Sequence, residues 1–390
     1  MKAYLPLRSM DASLQAQILD ARQRSLAWYA SLQAPGQPRG VLRISGVHDP
    51  AQWPGMLLPG TYNGVMGLAL IGGLVSLYAS ERQSLTGWLL AQRRKDGVFR
   101  IAGMHNDDVF KKPDLIETLN YIDFHVSNYS LGAIEHIAPD QAPEVTFARK
   151  YLNLQFLKAW LAERDLRDPW QEGNNIVNLG SFLLLMAHHE PETKPAVDAA
   201  LQALFAWHDR LQEPTTGFWG VGQLSDPLRL LHAMAGSMHN YHLWYATGRP
   251  LPFQDKAVDY CLTQPPHIDS ACIDVDLVDV LVHAHSLINH RRFDIEVWLR
   301  ALLSELLAFQ NTDGGFCDVR NGPGVPPRRQ DGWVKGYEEP QGLSNTFATW
   351  FRWIAVAMIA DCLWPEWQPF EGGWHFRSMV GIGYRKAAHG

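Results

Sequence analysis

Apolar residues return every three to four positions along most of the chain. Between Ala12 and Gln33, the side chains Leu14, Ile18, Leu26 and Trp28 fall near helical spacing. The same period recurs over about 61–79, 80–92, 114–138, 147–164, 174–188 and 194–210. The second half repeats it over about 227–247, 254–263, 273–289, 293–310 and 343–363. Strict two-residue alternation with β-branched residues is rare, so a sheet-based fold does not fit. The periodic segments stop at Pro35-Gly36-Gln37-Pro38, Pro265-Pro266 and Asn321-Gly322-Pro323-Gly324, where backbone sterics end a helix. No low-complexity linker divides the chain. The pattern predicts about a dozen helices in one all-α domain spanning residues 1–390.

Composition narrows the picture. With 390 residues, 46% hydrophobic and 19% charged, the chain has ample material for a core and reads as an ordinary soluble globular protein. Its 15 tryptophans suggest an interior or cavity lined with indole rings. A net charge of −6 and the lack of a long Lys/Arg block leave nothing for a nucleic-acid groove or an anionic membrane patch. The apolar stretch at 64–77 is too short to cross a bilayer and is broken by glycines, and the first residues lack the apolar run of a signal peptide. The expectation is a cytoplasmic chain without a transmembrane segment. Cys261, Cys272, Cys317 and Cys362 form no CxxC pair, so they read as buried thiols rather than a disulfide framework or a structural zinc site. No cofactor or resident metal is expected.

One short pattern returns four times: Gln92 to Phe99 (QRRKDGVF), Gln212 to Trp219 (QEPTTGFW), Gln310 to Phe316 (QNTDGGF) and Gln368 to Trp374 (QPFEGGW). The starts are 120, 98 and 58 residues apart, near multiples of one helical hairpin. Each copy joins a helix-ending Gln, a turn with Gly, and an aromatic that packs back. Gly supplies the left-handed cap, and the Gln amide can bond the turn or a neighbouring helix end. The second copy lacks the acid, and the fourth lies after the last long helix. This repeat resembles the motifs of the terpenoid cyclase and protein prenyltransferase superfamily. The resemblance covers the chain from about residue 50 onward and implies an α/α toroid, an (α/α)6 barrel of about six helical hairpins. Similar turns occur in α/α-barrel carbohydrate enzymes, so chemistry has to be read from the sites.

The densest group of acids is Asp269, Asp274, Asp276 and Asp279, at the start of a helix that continues into Val280, Leu281 and Val282. At helical spacing Asp276 neighbours both Asp279 and Cys272, whereas Asp274 and Asp276 point about 160° apart. Crowded carboxylates raise one pKa, as a general acid requires, while the positive helix end acts the other way. An ordinary acidic first turn would look the same in sequence. The resemblance implies that Asp274-Val275-Asp276 is the first half of the Asp-x-Asp-Asp acid of class II terpene cyclases, with Asp276 the proton donor and Asp274 in support. The chain departs at Leu277, where the motif has another Asp; Asp279 or His283 would then be the acid's partner. Tryptophan and tyrosine faces would stabilise a developing carbocation. The zinc set of the prenyltransferase branch has no counterpart here.

Two further constellations fit carbohydrate chemistry. Asn174 and Asn175 open one apolar helix, and His239, Tyr241, His242 and Tyr245 run through another. In a polysaccharide lyase on this kind of toroid, Asn174 or Asn175 would hold a uronate carboxylate, His239 or Tyr241 would be the base and Tyr245 the acid. His239 and His242 share a face and could take a metal beside an acid. His105, Asp107 and Asp108 precede a stripe of Asp114, Glu117, Tyr121 and His125, which would line a substrate groove if it faces inward, and could supply a carboxylate pair for glycoside hydrolysis. A long connection over 317–342 carries Trp333 and Tyr337 and reads as a lid. Trp219, Trp333 and Tyr337 are expected against the substrate. The sequence therefore supports three functions: a class II-like, proton-initiated cyclase of an isoprenoid polyene; an (α/α)6 polysaccharide lyase or glycoside hydrolase; and a non-catalytic ligand-binding protein of a biosynthetic pathway. Each implies a small hydrophobic or saccharide partner.

Overall fold

The computed structural model describes residues 4–104, 121–141, 143–166, 169–220, 226–330, 334 and 336–385. These form twelve α-helices: α1 (Tyr4–Ser31), α2 (Leu57–Leu70), α3 (Ala79–Leu90), α4 (Tyr121–Ile137), α5 (Leu154–Ala162), α6 (Pro169–His189), α7 (Lys194–Asp209), α8 (Pro227–Thr247), α9 (Gln254–Cys261), α10 (Ala271–Leu287), α11 (Arg292–Ala308) and α12 (Thr346–Leu363). Among the described residues the only sheet is a two-stranded antiparallel pair, β1 (Arg328–Gln330) with β2 (Glu338–Pro340), in the register Arg329 opposite Glu339. The protein is all-α, as the periodicity predicts.

Helix boundaries follow local chemistry. Asn153 accepts from the Gln155 and Phe156 amides and starts α5, which splits the expected 147–164 helix into a 3-10 turn and a short α-helix. Asp226 with Pro227 at the first helical position opens α8, and Gly248 at φ 67° closes it. Asn345 caps α12 by accepting from the Ala348 amide. The helix expected over 61–79 instead spans Leu57–Leu70, because the chain turns at Gly72, whose φ is +71°.

The chain groups into two compact units. The first contains residues 1–85, 261–332 and 336–375; the second contains 86–260, 333–335 and 376–390. In the first, α12 packs against both α2 and α10, and these three helices are buried on almost every side. The partly exposed α1 and α11 lie against them. In the second, α6 packs between α4 and α8, again buried nearly all round, with α5 and α7 outside. By length and composition α12 could cross a membrane, but 78% of it is buried in the protein, as in the core helix of a folded domain.

The repeated turns share one bond. Gly97, Gly217 and Gly314 take left-handed φ values of 90°, 76° and 96°. The amides of Phe99, Trp219 and Phe316 then donate to hydroxyls on the following buried helix, Ser127 on α4 (3.0 Å), Ser237 on α8 (2.8 Å) and Thr349 on α12 (2.9 Å). Gln212 and Gln310 each donate to the turn carbonyl of Gly217 and Gly314 at 2.8 Å. Sequence inspection misses a further copy at 33–42: Gly40 has φ 92°, and the Leu42 amide donates to Thr61 of α2 at 3.1 Å. Its aromatic is replaced by leucine, which hides it. The 368–374 copy ends the series, since no helix follows it among the described residues.

Candidate functional site

The acids of α10 owe their position to the start of that helix. Ser270 takes extended backbone and its hydroxyl accepts from the Ile273 amide, while Asp318 Oδ1 accepts from the Ala271 amide at 2.8 Å. The helix then runs between neighbours on all sides, so residues that point apart around it are buried together. Asp274, Asp276 and Asp279 are each at most 1% exposed.

Their environments differ sharply. Asp274 accepts from the Asp269 amide at 3.1 Å and is bonded to the guanidinium of Arg352 on α12. That guanidinium also donates to the Asp318 carbonyl at 2.7 Å and lies 5.0 Å from the Phe309 ring centre. Burial still outweighs the arginine, and the Asp274 carboxyl is pushed up to about 6. Asp279 pairs with His283 one turn on, at 3.0 Å. Asp276 has neither kind of support: no hydrogen-bond partner reaches either carboxyl oxygen among the described residues. Burial first, then the charges of Asp279 and Asp274, hold its carboxyl well above the usual carboxylate range. The result is a buried acid whose surroundings favour its protonated form, beside a second buried acid that is bonded to a cation. Cys261 and Cys272 lie near this group as thiols that burial keeps protonated.

Arg352, which the sequence sets with Trp350 and Trp353 on the last long helix as a residue lining or packing a cavity, is buried against Asp274 instead. Its signal is legible in retrospect as the one charge in the run Thr346–Ala360, a helix otherwise built of apolar and small polar side chains.

In the second unit, Asn174 donates to the Trp170 carbonyl at 3.0 Å and Asn175 to Glu172 at 3.1 Å, Glu172 also receiving Arg164. The remaining oxygen of Asn175 and the amide nitrogen of Asn178 are buried with no partner among the described residues. On α8, His239 and His242 are buried, the Tyr241 hydroxyl donates to the Gly217 carbonyl at 2.8 Å, and the Tyr245 oxygen accepts from Gln254 at 3.3 Å. Trp219 is core: its indole N–H donates to the His208 carbonyl and its ring sits against His208, Tyr241 and Trp244.

His105, Asp107, Asp108, Asp114, Glu117 and Trp333 lie outside the described residues. Downstream on α4, Asp123 is wholly buried and takes both arms of Arg100, at 2.7 and 3.0 Å, and His125 is held down to about 3 by burial and by Arg377. Tyr337 is buried between the rings of His48 and Trp53, and its hydroxyl donates to Glu339 at 2.8 Å.

The acids of α10 belong to the first unit and the polar groups of α6 and α8 to the second, and of these groups Asp276 is the buried carboxyl with no hydrogen-bond partner on either oxygen among the described residues. No family model matches this chain, and no curated protein matches it.

Proposed function

We propose that the protein is an acid-initiated cyclase of a linear isoprenoid, built as an α/α toroid of six helical hairpins. Three buried helices with outer partners in each unit, and a turn that recurs with the same hydroxyl tether, support the toroid. The observation that carries the chemistry is Asp276, a buried carboxylic acid whose two oxygens have no hydrogen-bond partner among the described residues. Protonating an alkene needs a carboxyl that still carries its proton when the substrate arrives, and burial with no donor to either oxygen favours that form of Asp276. Asp274, held to Arg352, supplies negative charge that keeps the proton on Asp276, and Asp279 with His283 is the pair through which it is replaced.

The test is product analysis after incubation with linear polyprenyl alcohols and their diphosphates. Cyclic product is expected from the wild type, and Asp276→Asn is expected to lower turnover by about 10²–10⁴-fold. His239→Ala and Tyr241→Phe are expected to retain most of it. Wild-type turnover in Asp276→Asn sinks the assignment.

A second reading rests on the unpartnered amide atoms of Asn175 and Asn178, buried polar groups that call for an oxygen-rich ligand or ordered water. It makes the protein a carbohydrate lyase or hydrolase. Thermal stabilisation by acidic oligosaccharides and none by isoprenoids would favour it over the cyclase.

A further inference from the structure

Within the first unit a cavity of about 910 Å³ opens between α1, the turn at 33–42, α2 and the turn that follows α2. Its walls include Leu26, Leu42, Val65, Leu68, Leu74 and Leu77. Leu26, Leu68 and Leu77 are only half-buried, and Val75 at the mouth is 78% exposed, so a band of apolar surface is left facing solvent. The volume and the mostly apolar wall are those of a small-molecule site. None of the acids of α10 belongs to it.

Two arginines stand at the mouth, and their situations differ. Arg39 is already paired with Glu81 at 3.1 Å. Arg22 is half-buried, donates through Nε to the Ile71 carbonyl at 2.8 Å and lies 4.2 Å over the Phe370 ring. No carboxylate pairs with it among the described residues, and burial lowers its pKa with no acid to offset it. The stack is built in: a Cβ on Gly72 would come within 2.6 Å of the Phe370 ring and 3.4 Å of an Arg22 nitrogen. A guanidinium fixed on a ring, partly desolvated and without a counter-ion, is a receptor for an anion.

We propose that this cavity binds a long-chain carboxylate, with the hydrocarbon tail along the leucine wall and the carboxylate on Arg22. One unpaired cation balances one negative charge, which favours a monoanionic head over a diphosphate. The apolar wall accounts for the tail, since each methylene moved out of water adds to binding.

The experiment is a fluorescence titration of the full-length chain with a dansyl-labelled undecanoate, followed by displacement with dodecanoate or dodecanol below their aggregation limits. Wild-type protein is expected to bind the probe and to release it to dodecanoate at about tenfold lower concentration than to dodecanol, as a charge-assisted bond to the head group implies. Arg22→Gln should abolish that preference and leave dodecanol unaffected; Arg22→Lys should retain part of it. Leu68→Trp, which fills the cavity from a half-exposed position, should remove probe binding. Asp276→Asn should bind like the wild type, so the result is independent of the cyclase reading. Equal displacement by acid and alcohol in the wild type, a preference that survives Arg22→Gln, or probe binding that survives Leu68→Trp overturns the proposal.

Discussion

At the scale of single residues the governing quantity is the cost of burying charge. Arg352 and Asp274 are both essentially inaccessible, so removing one leaves the other uncompensated. Arg352→Met is expected to cost about 3–5 kcal/mol, and the double change with Asp274→Asn less than the sum of the two singles, measurable by a double-mutant cycle in denaturant. Asp276 sets a pH dependence. Its carboxyl is raised on folding, so the folded chain keeps a proton that the unfolded chain releases. The stability this represents is complete below the ordinary aspartate range near 3.8 and is lost as pH rises through the folded-state value; Asp274, raised to about 6, acts in the same sense. Asp276→Asn should therefore flatten the fall in melting temperature as pH rises above the ordinary aspartate range, and a slope as steep as the wild type's would contradict the burial argument. His125 and His208 run the other way. Burial lowers them to about 3 and 4, so their contribution is present above the ordinary histidine value of 6.5 and lost on acidification. Their ring resonances should not shift between pH 8 and about pH 5 in an NMR titration.

At the scale of elements, close approach is bought with glycine. A Cβ on Gly173 would fall 2.2 Å from the Gly236 carbonyl, and one on Gly236 would fall 2.0 Å from the Pro169 carbonyl. Backbone cannot retreat as a flexible side chain can, so Gly173→Ala and Gly236→Ala are each expected to destabilise by about 1–3 kcal/mol through forced separation of α6 from α8, read in thermal unfolding. The tethers of the repeated turns act differently. Ser237→Ala and Thr349→Val leave the buried amides of Trp219 and Phe316 without an acceptor, at about 1–3 kcal/mol each, with the denaturant slope unchanged.

At the scale of the whole molecule, the first unit is assembled from distant parts of the chain. Ser25 of α1 donates to the Gly314 carbonyl at 2.7 Å and receives the indole N–H of Trp353 and the amide of Gln310. These contacts close loops of 285 to 328 residues, which makes folding slow relative to a local bundle. Deleting residues 1–31 removes one wall of that core and is expected to abolish cooperative unfolding of the unit, followed by circular dichroism; a sharp transition in the truncated chain would show that α1 is dispensable.

Most of what is local was legible in the order of residues. Helical periodicity located all twelve helices, and Ser270, Asn153 and Pro227 mark three starts, because capping and backbone sterics depend on residues within one turn. The turn repeat was visible wherever glycine and an aromatic kept their places, and invisible at 33–42, where leucine took the aromatic's part and only the bond to Thr61 reveals the kinship. Helical spacing lists the acids of α10 without ranking them, and the choice of Asp276 rested on the resemblance. Helical spacing put Asp274 and Asp276 on different sides, and only packing around the whole circumference of α10 buries both. Arg352, 78 residues further on, reaches Asp274 and leaves Asp276 alone, so burial and the charges of Asp279 and Asp274 act on Asp276 with no cation to offset them. The cavity beside Arg22 was equally hidden, since it requires Phe370 to come from the far end of the chain. Short-range sterics and hydrogen bonding are written in neighbouring letters, whereas desolvation and charge pairing depend on what the fold brings from elsewhere.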